Sequence, residues 1–173
     1  MNKKSNSLSK TYLYISILGN NFKLNVKYSN IPAVELIKTN TYINLYLPKK
    51  YKNVDNIDII NLSIKKLYDK IAEKEIEYAM EVARHILKFA PEDYCIKRLK
   101  NEFYKCYKNK IIVNPDIVKF NKEIINTTIL QAFCKIKYKS NSIAYKNTLN
   151  KALIKYEIYK ENSVSRFKVL KVS

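Results

Sequence analysis

A single glycine, Gly19, serves this whole 173-residue chain. A phosphate-cradling loop needs several glycines so that backbone N–H groups can close on the anion. P-loop and dinucleotide-binding turns are therefore excluded. Tryptophan is absent and His85 is the only histidine. One imidazole cannot build a three-histidine zinc site, and no Ser-His-Asp or Cys-His pairing can be argued from it. The cysteines, Cys95, Cys106 and Cys134, are odd in number, which suits free thiols rather than a disulfide framework. Their spacing with His85 matches no common zinc pattern, although these four side chains are the one formal route to a metal. Arginine is limited to Arg84, Arg98 and Arg166. No apolar run approaches the roughly 18 residues of a spanning helix, so no membrane contact is expected. Residues 1–10 are polar, carry three lysines and lack the apolar core of a signal peptide, so a reducing, cytoplasmic setting is expected.

What the chain has in excess is lysine: 33 basic residues stand against 15 acidic ones, a net charge of +18. The balance is +7 over residues 1–90 and +11 over residues 91–173, so the excess sits towards the C-terminus. Such a charge favours polyanions, nucleic acid first among them. A scatter of lysines from a biased coding composition would give the same total without any partner. Hydrophobic residues make up 47% of the chain, enough for the core of one domain at this length.

Periodicity predicts an α+β order. Tyr, Leu and Ile alternate over 11–18. After a Gly19-Asn20-Asn21 turn, Phe22, Leu24 and Val26 alternate with Lys23, Asn25 and Lys27 as in a half-buried strand. A second antiparallel hairpin is expected from Ala33–Ile37 and Tyr42–Leu47. Asp55 is placed to cap a long helix reaching about Phe89, with a break near Ala72 allowed for. Its acids, Asp55, Asp58, Asp69, Glu73, Glu75, Glu77 and Glu81, are read as a solvated, ion-paired face, and His85 as a partly buried structural residue. Tyr94–Leu99 and Lys110–Val113 are read as a hairpin around a polar, aromatic turn, 101–109. Asn121 caps a helix to about Tyr138 with a core stripe of Ile125, Ile129, Ala132 and Ile136, flanked by Phe133. Asn141-Ser142 opens a last helix to about Tyr159. The domain plan is a flexible basic N-terminus (1–10), one domain (11–160) and a tail (161–173), either strand or disordered.

The stretch Ile124–Tyr145 reads I-I-N-T-T-I-L-Q-A-F-C-K-I-K-Y-K-S-N-S-I-A-Y. It resembles the active-site region of the YgjP/SprT-type zinc metallopeptidases, where the run is H-E-L-C/A-H-L, a short polar turn and a third His before Ser and an aromatic. Laid on that pattern, Gln131 and Lys135 stand for the two helical histidines, Ala132 for the glutamate and Asn141 for the third histidine. Further likeness runs from Leu13 to Leu153. I-L-G-N-N-F-K-L-N-V (Ile17–Val26) resembles the family's first strand pair, and Y-I-N-L-Y-L-P (Tyr42–Pro48) its second hairpin. I-K-R-L-K-N-E-F-Y-K-C (Ile96–Cys106) resembles its V-x-x-x-K-S-R-W-G-S-C hairpin, with Phe103 on the Trp and Cys106 on the Cys. The Arg, Gly and Ser of that motif are Glu102, Tyr104 and Lys105 here. I-I-V-N-P (Ile111–Pro115) resembles the returning strand. The resemblance implies a zincin-like fold, and Cys106 and Cys134 fall where members also carry Cys; both are read as small buried hydrophobes.

Two histidines at i and i+4 reach one metal from one helix face, and the neighbouring glutamate takes a proton from metal-bound water. Gln131 offers a weak neutral donor, Lys135 repels a cation, and Ala132 moves no proton. The expectation is a protein without catalytic residues, metal or cofactor, kept as a binding or regulatory module for a protein or peptide. In one version Lys135 replaces the metal as a fixed charge held by Gln131 and Asn141; in the other the old cleft has become ordinary surface. The alternative from another class is a nucleic-acid-binding protein. Phe103, Tyr104, Lys105, Tyr107, Lys108 and Lys110 interleave rings that could stack on bases with cations that could neutralise phosphate. A Tyr/Lys-rich segment of this kind is more often an ordinary turn. Lys135, Lys137, Lys139, Lys146 and Lys151 extend a basic surface over the last two helices.

Overall fold

The structure, a computed structural model, describes residues 13–169, and side chains from 13 to 161. The basic segment 1–10 and the end of the tail lie outside the described residues. Within them the chain is α+β, as its patterning predicts.

Strands β1 (Leu13–Ile17), β2 (Asn20–Ser29), β3 (Glu35–Lys38) and β4 (Tyr42–Pro48) form a sheet in the order β1-β2-β4-β3. Both expected hairpins are present and antiparallel. They are joined by a parallel seam, with Leu24 opposite Ile43 and Val26 opposite Leu45. The seam arises because β3 takes the outer edge and β4 returns between β3 and β2. Alternation then sends Ile15, Ile17, Phe22, Leu24, Ile43, Leu45 and Leu47 to one buried face. Each such side chain contributes roughly 1.5–3 kcal/mol on burial.

Helix α1 (Ile57–Leu87) lies in that core through Tyr68, Ala72, Ile76, Ala79, Met80, Ala83 and Ile86. It does not break near Ala72. The stripe stays in phase through Tyr68, Ala72 and Ile76, and no Gly or Pro interrupts it. The cap is Asn56 rather than Asp55, although the Asp55 carboxylate accepts a bond from the Ile57 N–H (3.1 Å). Lys88 ends the helix in a left-handed conformation (φ 61°).

The second sheet corrects the expected hairpin. Its strands are β5 (Asp93–Ile96), β6 (Tyr104–Tyr107) and β7 (Lys110–Val113), in the order β5-β7-β6. β5 and β7 run parallel, and the true hairpin is β6–β7. The middle of the segment read as a turn is a strand, while Asn101 bends with a φ of 60° and Lys108-Asn109 turn. Tyr104 and Cys106 face inwards while Lys105 and Tyr107 face solvent. A period of two was present, but polar aromatics and lysines hid it.

Helix α2 (Lys122–Lys137) starts at Asn121, whose side chain accepts from the Ile124 N–H (2.9 Å). The expected stripe is inside, and Asn126, Thr128, Leu130 and Cys134 are buried with it. Helix α3 runs Ile143–Val169, so most of the tail assigned to strand or disorder is helical. Its packing side includes Ala152 and Tyr156. Ser142 opens it by accepting from the Tyr145 N–H (3.1 Å).

Candidate functional site

Helix α2 lies against β6 and the start of α3, and the four positions singled out in sequence fall around that seam. Gln131 is half-buried and Lys135 exposed, one turn apart on α2. Ala132 is fully buried, and its backbone carbonyl accepts a bond from the Cys106 thiol (3.5 Å). Asn141 is exposed on the link to α3, with a left-handed backbone (φ 69°). The Lys135 ammonium sits 5.4 Å from the centre of the Tyr104 ring. That geometry is a cation–π contact.

Tyr104, Cys106, Cys134, Lys135 and Tyr145 form one electrostatic cluster. Burial pushes the Tyr104 hydroxyl up to about 12, with Tyr145, Cys106 and Cys134 adding to the shift. Burial raises the Cys134 thiol to about 11. It raises Cys106 too, against the opposing pull of Lys135. Tyr145 is raised first by burial and then by the two cysteines. At neutral pH the phenols and thiols are therefore uncharged, and Lys135 is the cluster's cation. An ammonium over a neutral ring suits a carboxylate or phosphate. It does not suit zinc, and the cluster's two thiols fall short of the four ligands a zinc site takes. Among the described residues no three His, Cys, Asp or Glu side chains gather closely enough to hold a metal.

The aromatic–basic segment divides into three surfaces. Phe103 turns away to meet Phe120 edge-on, with ring centres 5.1 Å apart. Tyr104 faces α2. Lys105 and Tyr107 share the solvent face of β6, and the Lys108 ammonium lies 5.6 Å from the Tyr107 ring. Lys110 pairs with Asp93 at 3.4 Å. On α2, Lys137 covers Phe89 at 4.6 Å, while Lys139, Lys146 and Lys151 are exposed.

Several assignments change. His85 is exposed, its ring centre 6.0 Å from that of Tyr159, so it is no core residue. Cys95 is also exposed, Cys106 half-buried and Cys134 buried. Glu75 does not join the solvated acids of α1. It is buried where α1 meets α2 and pairs with Lys122 at 2.9 Å. Sequence reasoning missed that pair. It also missed Arg98, which bonds to Asp69 (2.6 Å) and to the Lys65 carbonyl (3.0 Å) and so ties β5's exit to α1. The helical phase of Glu75 with Ala72 and Ala79 carried the first signal; nothing local marked the second.

No protein-family model, curated protein or solved structure matches this chain.

Proposed function

We propose that this chain is a catalytically inactive relative of the YgjP/SprT-type zinc metallopeptidases, zincin-like in architecture and cytoplasmic, kept as a binding or regulatory module for a protein or peptide. One observation carries the reading. Lys135, at the position of a metal-binding histidine, is a cation held over the Tyr104 ring in a cluster whose other members are neutral. A face built this way attracts an anionic group and repels a metal. The succession of hairpins, long helix, small sheet and two helices supports the same reading. Among the described residues no helix is long and apolar enough to cross a membrane.

The test is a graft. The wild-type protein should carry no zinc in elemental analysis. The variant Gln131→His, Lys135→His, Asn141→His should take up one zinc per chain, since i and i+4 on α2 still share a face. Adding Ala132→Glu should cost stability, because Ala132 is fully buried and a carboxylate there would lose its hydration. Stoichiometric zinc in the wild type, or a folded triple variant that takes up none, would refute the reading.

A second reading, nucleic-acid binding, draws on Lys105, Tyr107 and Lys108, which present two cations and an exposed ring together on β6 and the turn that follows it.

A further inference from the structure

Between β3 and α1, far along the first sheet from its β1 edge, lies an apolar cleft of about 360 Å³. Leu36, Ile59 and Leu67 form its floor and pack on the core. Val34 and Leu62 stand at its mouth, 37% and 53% exposed, so the cleft's apolar lining continues onto the surface on both walls. Lys66 and Lys70, one helical turn apart, complete the wall. Alongside runs the outer edge of β3, which pairs with no strand among the described residues. In an antiparallel ladder alternate residues turn their N–H and C=O away from the partner strand, so this edge presents unused donors and acceptors.

We propose that β3 and α1 form a docking groove for an extended, acidic–apolar peptide segment of a partner protein, which adds to the sheet as a fifth strand. Strand addition uses edge hydrogen bonds for affinity and side-chain pockets for selectivity, and both lie here side by side. Alternate apolar residues of the incoming segment would cover Leu62 and Val34. Its carboxylates would meet Lys66 and Lys70. Glu35, the nearest acid on β3, lies by alternation on the opposite face of the strand from Leu36. Charge argues against this chain's own ends as occupants. Residues 1–12 carry Lys3, Lys4 and Lys10 and no acid, and residues 162–173 carry Arg166, Lys168 and Lys171 and no acid. A second copy of a chain with net charge +18 is disfavoured for the same reason.

The experiment titrates the full chain against a short, dye-labelled, acetylated peptide alternating glutamate with valine and leucine, read by fluorescence anisotropy. Saturable binding should weaken by about tenfold or more in Leu62→Asp and in Lys66→Glu/Lys70→Glu, all exposed positions that the fold tolerates. A control pair, Lys146→Glu/Lys151→Glu on α3, should keep affinity within about twofold, which separates the groove from net charge. A peptide N-methylated at alternate amides should bind about tenfold more weakly, because it cannot complete the ladder. Equal binding of the N-methylated peptide, or of one with lysine in place of glutamate, would overturn the proposal. So would an equal loss in the control pair. Self-association that vanishes in Leu62→Asp would also overturn it, and would make a second copy the occupant.

Discussion

Gly19 sits against Asn121: a Cβ added to Gly19 would lie 3.0 Å from the Asn121 Cβ. The turn between β1 and β2 is thus seated on the cap of α2. Two backbone bonds fasten it, Leu18 N–H to the Val118 carbonyl (2.7 Å) and Gly19 N–H to the Lys119 carbonyl (3.3 Å). Gly19 also has a φ of 79°, which a side chain resists. Gly19→Ala combines backbone strain with a clash against main chain and a capping residue. We expect it to lower stability by roughly 1–3 kcal/mol. An unchanged urea midpoint would show that turn and cap are not pressed together.

The pair at the α1–α2 seam makes a second prediction. Glu75 is 11% exposed at its side chain and Lys122 59% exposed. Lys122→Met leaves a nearly buried carboxylate without its cation. The cost should be about 2 kcal/mol, less than for a fully buried pair because Lys122 is mostly in water. Adding Glu75→Gln should recover most of it. Additive losses in the double-mutant cycle would mean that the two side chains do not interact.

Stability should also fall in alkali. Cys134 ionises less readily in the fold, at about 11 against an ordinary 9.0, because burial disfavours the thiolate. The fold's advantage is complete below pH 9 and is lost as pH rises towards 11, on the order of 2 kcal/mol. Tyr68 and Tyr104, raised from 10.0 to about 12, extend the decline over the next window. Denaturation at stepped pH should show a slope between 9 and 11 that Cys134→Ala reduces. A slope indifferent to that change would exclude Cys134 as its source.

Where one residue type dominated a period, the fold was readable. Phe22, Leu24 and Val26 marked β2, and Ile125, Ile129 and Ala132 marked the inner face of α2, because burial sorts apolar from polar residues at the element's own spacing. Pairing was not readable. The parallel seams β2/β4 and β5/β7 depend on where a connection crosses, which no local spacing encodes. The last helix was readable as far as about Tyr159, and only its continuation to Val169 was missed: Val164, Phe167 and Val169 alternate weakly with Ser165, Arg166 and Lys168 and so pass for a strand. At the candidate site, the shared face of Gln131 and Lys135 followed from helix geometry. The Tyr104 ring beneath Lys135 did not, since it comes from a strand that sequence reading took for a turn.

The nucleic-acid reading now rests on a smaller surface. Tyr107 is 60% exposed, whereas Tyr104 is turned in under Lys135, so only Tyr107 offers a free face to a base. If that surface is used, Tyr107→Ala should weaken single-stranded nucleic-acid binding by roughly 1–3 kcal/mol. Lys105→Gln and Lys108→Gln should each reduce the salt slope by about one unit, because each would meet a phosphate. Sequence preference should be slight, since only three arginines are present for bidentate readout. Lysines that merely raise the net charge predict a different titration. Binding would then be weak, steep in salt, and lose no more on Tyr107→Ala than on a change at an exposed residue elsewhere, such as Tyr14. Titrations of the wild type and the four variants at two salt concentrations separate these cases, and equal behaviour of the Tyr107 and Tyr14 variants would remove β6 as a nucleic-acid site.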